Sequence, residues 1–207
     1  MYIFLDYDGT LSLTDEKTYS MHYFKLLSEY SKLPFEKLLN CVFEATDFLI
    51  RKPDGINNNL NRFFKIIEGN FDLSKDEWEK LFLSFYSSNF ENVKEIIKIN
   101  EKLVKAVKNS NHKLVFASNP VFPEIAVKKR IEMIGMDMND FHYISTMENS
   151  YFTKPHKEYF DNVLNEIKVD PSNCIMIGDT DFDKASEKAG INFFHVDEEE
   201  KWMSFFK

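Results

Sequence analysis

The chain has 207 residues, 43% of them apolar and 29% charged, with a formal net charge of -8. This describes one large globular domain, or one domain with a sizeable insertion, and excludes a disordered chain. The acidic balance argues against a general binder of nucleic-acid backbone, and no apolar run approaches the length of a membrane span.

The first stretch, Tyr2-Ile3-Phe4-Leu5-Asp6-Tyr7-Asp8-Gly9-Thr10, opens with four apolar residues that predict a strand buried on both faces. It stops on two aspartates two residues apart. In an open α/β sheet the carboxyl ends of the strands are where ligands bind, so this pair is a candidate site. Asp6 also interrupts the apolar start too early for a signal peptide, and a cytoplasmic protein is expected.

About a hundred residues of helical periodicity follow. Asp15 is a plausible N-cap for a helix carrying Tyr19, Tyr23, Leu26, Leu27 and Tyr30. Pro34 opens the next, which ends near Lys52-Pro53-Asp54-Gly55. Leu60, Phe63, Phe64 and Ile67 mark a third. Ser74 with Glu77 forms a capping box for a fourth, bearing Trp78, Leu81, Phe82 and Phe85. A fifth runs from Val93 to Val107 with a break near Asn100. The 21 phenylalanines of the chain fit a phenylalanine-rich core, an apolar substrate pocket or an oligomer surface, and the aromatic stripes of this segment read as bundle core, not as a cofactor box.

From Lys113 onward strand and helix alternate. Leu114-Val115-Phe116-Ala117 ends on Ser118-Asn119, and Tyr143-Ile144-Ser145 is a weak strand. Lys154-Pro155 precedes a helix, and Cys174-Ile175-Met176-Ile177 ends on Gly178-Asp179-Thr180-Asp181-Phe182-Asp183. Phe193-Phe194-His195-Val196 is the last strand. This alternation predicts a parallel, doubly wound sheet. Cys41 and Cys174 lie inside apolar runs and read as buried free thiols. Gly9 and Gly178 stand beside acidic strand ends, whereas Gly135 and Gly190 close helices.

Three strands therefore end in polar residues: Asp6 and Asp8, Ser118 and Asn119, Asp179 and Asp183. Gathered at one rim, the carboxylates would repel and raise one another's pKa. A hard divalent cation relieves this, and oxygen ligands without His or Cys point to Mg²⁺. With a hydroxyl, a backbone amide and Lys154 nearby, such a rim suits a phosphate group. One carboxylate can attack phosphorus, while another handles the proton of the leaving oxygen and of the incoming water.

In this order the residues Asp6-x-Asp8-Gly9-Thr10, Ser118-Asn119, Lys154-Pro155 and Gly178-Asp179-x-x-x-Asp183 resemble the four motifs of the haloacid dehalogenase (HAD) superfamily. The resemblance implies a Rossmannoid three-layer α/β sandwich with a parallel sheet and an all-helical cap of the C1 type inserted after the first strand. The core would be residues 1–13 and 109–207, the cap residues 14–108. It implies Asp6 as nucleophile and metal ligand. Asp8 would be the general acid/base, with its backbone carbonyl on the ion. Ser118 and the amide of Asn119 would bind phosphate, Lys154 would join nucleophile and phosphate, Asp179 would be a metal ligand, and Asp183 would assist through water or a second-shell bond. Asp181 reads as a solvated turn residue.

Haloacid dehalogenases themselves generally lack the second Asp of the first motif, so Asp8 favours phosphoryl transfer. The expectation is a Mg²⁺-dependent phosphatase of small phosphorylated metabolites, a monomer or homodimer without nucleic-acid or membrane partners. The alternatives are a phosphosugar mutase of the β-phosphoglucomutase type and a non-catalytic phosphometabolite-binding protein. A phosphonatase would need a cap lysine, and Lys17, Lys25 and Lys32 are not recognisably that residue. Tyr19, His22, Arg51 and Lys52 are the candidate cap residues for specificity.

Overall fold

The computed structural model describes residues 1–206. Five short strands, β1 (Tyr2–Leu5), β2 (Lys113–Phe116), β3 (Phe141–Ile144), β4 (Cys174–Gly178) and β5 (Asn192–His195), form one sheet in the order β3-β2-β1-β4-β5. All neighbours are parallel. The central strand pairs on both sides, Leu5 lying opposite Phe116 and Ile177. Hence Ile3, Phe4 and Leu5 are all fully buried, an apolar run rather than an alternating one. Strand order reverses at β1, so the topological switch point lies at its carboxyl end, beside Asp6.

Alternate residues of β1 face two layers. Ile3 and Leu5 pack with α5 (Glu101–Lys108), α6 (Glu124–Met133) and α9 (Glu199–Met203) through Leu103, Val107, Val127, Ile131 and Trp202. Phe4 packs on the other side with α7 (Lys157–Ile167) through Tyr159, Phe160 and Val163. Both cysteines are buried and free. Lys154 lies in the loop that precedes α7.

The helices between β1 and β2 are α1 (Glu16–Ser31), α2 (Phe35–Arg51), α3 (Asn59–Ile67) and α4 (Lys75–Ser88), each apolar on one face. Asp15 caps α1 by accepting from the Thr18 amide, and Ser74 with Glu77 closes a capping box on α4. Their shared core is aromatic: Trp78, Phe82, Phe85, Phe90 and Phe63 interlock at ring separations such as 5.7 Å for Phe63–Phe82 and 6.0 Å for Phe85–Phe90. The expected fifth helix is two pieces, a 3-10 turn at Phe90–Ile96 and then α5. Asn100 separates them, because its side chain caps α5 at the Leu103 amide while its own amide donates to the Leu11 carbonyl. Leu103, Val104 and Val107 face the sheet, so α5 packs with the sheet and not with the inserted helices.

Two crossings join the insertion to the sheet. Leu13 donates to the Lys98 carbonyl at 2.6 Å, and Ser12 bridges Ile99 in antiparallel fashion. The insertion also docks directly: Ala126, Met133 and Met147 of the sheet region join its core, and the Asn59 amide donates to the Ser150 carbonyl at 2.8 Å. Among the described residues, no helix is long and apolar enough to cross a membrane.

Candidate active site

Asp6 follows β1 directly, and its amide still donates to the Ile177 carbonyl at 3.1 Å. This ladder bond fixes a carboxylate that is only 6% exposed. Lys154, also buried, places its Nζ 2.7 Å from Asp6 Oδ1 and 2.5 Å from Asp183 Oδ1. Asp183 sits in the first turn of α8 (Asp181–Lys184), where its Oδ2 accepts from the amides of Asp179 and Thr180 and from the Thr180 hydroxyl. Both of its oxygens are thus engaged by protein donors. Asp179 completes the group: Asp6, Asp179 and Asp183 each bring a carboxylate oxygen to within 4.8 Å of the other two.

Two glycines make this density of charge possible. A Cβ on Gly9 would lie 2.0 Å from Asp179 Oδ2, and Gly9 already has φ +74, which favours glycine. A Cβ on Gly178 would lie 2.4 Å from the Asp183 carboxyl carbon. The backbone approaches the carboxylates where no larger residue fits.

The electrostatics follow from burial. Desolvation pushes the Asp6 carboxyl up to about 7, with Asp183 and Asp8 adding to the rise and Lys154 opposing it. Asp179 is raised too, by burial and then by Asp183. Burial disfavours the Lys154 ammonium, but Asp183 and Asp6 outweigh it and hold the lysine charged above its usual range. The three aspartates bring more negative charge than one lysine neutralises. An oxygen-only donor set of this kind could hold Mg²⁺ through Asp6 and Asp179, since Asp183 is already committed to Lys154 and the amides.

Ser118 follows β2 and is buried, and Asn119 is half-buried; both line the same crevice as Asp6 and Lys154. The Asn119 side chain brackets the Lys154 backbone, accepting from its amide at 3.1 Å and donating to its carbonyl at 3.4 Å. The Asp8 side chain stands apart from the carboxylate cluster, at the exposed mouth, which leaves only its backbone carbonyl for the expected metal contact. Asp181 is exposed at the rim, as a solvated turn residue would be.

Arg130 escapes a reading of the sequence. It is 1% exposed on α6, and its Nη2 lies 2.5 Å from both oxygens of Asp8. Its guanidinium lies over the rings of Tyr7 and Phe122, at 4.1 and 4.6 Å from their centroids. Burial opposes its charge, and Asp8 more than restores it. In sequence it ends the basic run Lys128-Lys129-Arg130, which looks like a solvated helix face. Its helical spacing from Val127 and Ile134 was the one available signal.

Above the rim the crevice opens into a cavity of about 880 Å³ beneath the inserted helices. Of the four specificity candidates only Tyr19 lines it. His22 faces the Asn92 carbonyl instead of the cavity. Arg51 is exposed and paired with Asp47 at 2.7 Å, and exposed Lys52 follows it past the end of α2. None of Lys17, Lys25 and Lys32 lines the cavity either.

A parallel α/β sheet with a carboxylate cluster and a buried lysine at its switch point defines a hydrolase-type acidic crevice. The chain belongs to the family of haloacid dehalogenase-like hydrolases, whose model matches residues 3–196. Among solved structures it is similar in fold to a HAD family enzyme from Bacteroides thetaiotaomicron, with 16% identity, TM-score 0.59, and 100% of this chain and 98% of that one covered. A HAD phosphatase from Thermococcus onnurineus is also similar, at 17% identity and TM-score 0.55 over 93% of this chain and 83% of that one. So is a 2-haloacid dehalogenase from Pseudomonas syringae pv. Tomato DC3000, at 15% identity and TM-score 0.60 over 93% and 84%. No curated protein matches the chain in sequence.

Proposed function

We propose that this chain is a Mg²⁺-dependent phosphatase of phosphomonoesters, with Asp6 as nucleophile and Asp8 as general acid/base. The observation that carries the proposal is Lys154, held between Asp6 and Asp183 while Asp179 completes the carboxylate cluster. A buried nucleophile beside a fixed ammonium and an oxygen-only metal site suits a dianionic phosphoryl group, whose charge a lysine and a divalent ion can neutralise. A HAD family enzyme from Bacteroides thetaiotaomicron has been solved in complex with magnesium and inorganic phosphate, which agrees with this choice of ion.

Asp6 and Asp179, with the Asp8 carbonyl, would hold the ion; when bound, it neutralises charge on the phosphoryl oxygens and keeps Asp6 ionised. A carboxylate oxygen of Asp6 forms a bond to phosphorus as the ester P–O bond breaks, and Asp8 gives its proton to the departing alkoxide. Ser118 and the Asn119 amide bind the phosphoryl oxygens, and Lys154 keeps Asp6 aimed. In the second half Asp8, gripped by Arg130 as a carboxylate, takes the proton from water, whose oxygen attacks phosphorus and releases Asp6. The helices between residues 14 and 98 would act as a C1-type cap that excludes bulk water.

Magnesium-dependent phosphate release from p-nitrophenyl phosphate tests the reading. Asp6→Asn keeps the shape of the site and should lower turnover by at least about 10³-fold. Absence of turnover by the native chain on that ester and on a panel of phosphomonoesters would overturn it, as would an active Asp6→Asn variant. Phosphate passed to a second hydroxyl instead of released would identify a mutase.

A further inference from the structure

Resting on that reading, we infer that the ester accepted here carries an apolar organic group of aryl or prenyl size, not a sugar or polyol. The cavity above Asp6 has a volume of about 880 Å³, within the range of sites that enclose a drug-sized molecule. Its charged residues belong to the rim and the entry of α1: Asp6, Asp8, Asp15, Glu16, Lys154, Asp179 and Asp181. The part formed by the inserted helices is mostly apolar, with Val42, Phe43 and Ile50 from α2, Phe63 and Phe64 from α3, and Phe82 from α4.

Ser20 and Thr46 bring two hydroxyls to that region, and its other hydroxyls offer little to a polyol. Tyr23 and Tyr86 bond each other at 2.9 Å. The Thr14 hydroxyl already donates to the Ile96 carbonyl and accepts from the Lys98 amide. The Tyr19 hydroxyl is buried without a partner, one donor for one acceptor on the ligand. A sugar moved here from water would leave several hydroxyls unpaired, whereas a hydrocarbon would lose nothing but its hydration. Packing alone does not account for the space, because protein interiors close to crystal-like density and aromatic bundles have the volume to fill such a void. One end of the cavity suits a phosphate and its ion, the other an apolar body.

The test uses esters of primary alcohols, so that leaving-group strength is matched. With Mg²⁺, kcat/KM for naphthylethyl phosphate and citronellyl phosphate should exceed that for glycerol phosphate and glucose phosphate by at least about 10²-fold. Naphthylethanol, which has no phosphate, should bind the full chain by fluorescence titration. Filling the cavity should weaken that binding at least tenfold, with Thr46→Phe on the half-buried face of α2 and Val42→Trp as an independent second variant. Equal or better use of the polyol esters would overturn the inference and leave the phosphatase reading standing. Binding of naphthylethanol that is lost on filling, with no ester hydrolysed, would uphold the apolar site and overturn the phosphatase reading. Failure of both binding and hydrolysis would overturn both.

Discussion

The rim of the sheet and the inserted helices bury side chains by opposite means. At the rim, Lys154, Asp6 and Asp183 meet at 2.5–2.7 Å and depend on charge pairing. In the insertion, Trp78, Phe82, Phe85 and Phe90 meet ring to ring and depend on shape and desolvation. A charged cluster fails when one member is removed, because the others remain buried and uncompensated. An aromatic core yields in proportion to the volume lost. A rim substitution therefore strikes stability and activity together, while the insertion loses stability in step with the volume removed.

The sharpest way to break this contrast is Lys154→Met, which keeps the length of the side chain and deletes its charge. Asp6 and Asp183 would then face each other without a cation. Without magnesium the chain should lose about 3–5 kcal/mol, and turnover should fall by more than about 10³-fold. Denaturant unfolding with and without Mg²⁺ separates the two roles. The ion should return part of the stability but not the activity, since it cannot restore the bond that aims Asp6. Loss of less than 1 kcal/mol would mean that the rim does not depend on the lysine.

On the other side of the comparison, Trp78→Ala should cost about 3–5 kcal/mol, and Trp78→Phe under about 1.5. Trp78 is fully buried against Phe71 and Phe82, yet its Nε1 has no hydrogen-bond partner. Phenylalanine keeps much of the packing and removes an unpaired donor, so the gap between the variants measures volume alone. Thermal melts decide it. Equal losses would show the indole N–H to matter and would bring polar bonding into the insertion after all.

The same contrast governs what can be read from the residues alone. Asp6, Ser118 and Asp179 are legible because each follows a short apolar strand in parallel order and such strand ends converge on one rim, and Lys154 because it stands ahead of a helix between the second and fourth motifs. Arg130 is not, because a basic helical run gives no hint that its last member turns inward over Tyr7 and Phe122. The inserted helices are legible as helices, down to the Asp15 cap and the Ser74–Glu77 box. Their partners are not. Apolar periodicity shows that a face is buried but not against what, so α5 reads as part of the insertion although Leu103 and Val107 face the sheet. For the same reason Tyr19 could not be told from His22 before α1 was seen docked, one turned to the cavity and the other to the Asn92 carbonyl.

The smallest expected effect ties the rim to its ion. With its carboxyl raised from 3.8 to about 7 by burial, Asp6 binds a proton in the folded chain across a range where the unfolded chain has released it. Without metal, stability from this group is full below the unfolded value and is lost as pH rises through about 7. Magnesium acts in the other direction, since it binds the carboxylate and must displace the proton below about 7. Saturating Mg²⁺ at a hundredfold excess over its dissociation constant adds about 2.7 kcal/mol, roughly 5–10 °C in Tm for a chain of this size. That gain should be present near pH 8 and should shrink by half or more near pH 6. In Asp6→Asn it should be small at both, because a carboxylate that would hold the ion is gone. A gain that is flat with pH in the native chain would place the ion away from Asp6, and the rim would then owe its geometry to Lys154 alone.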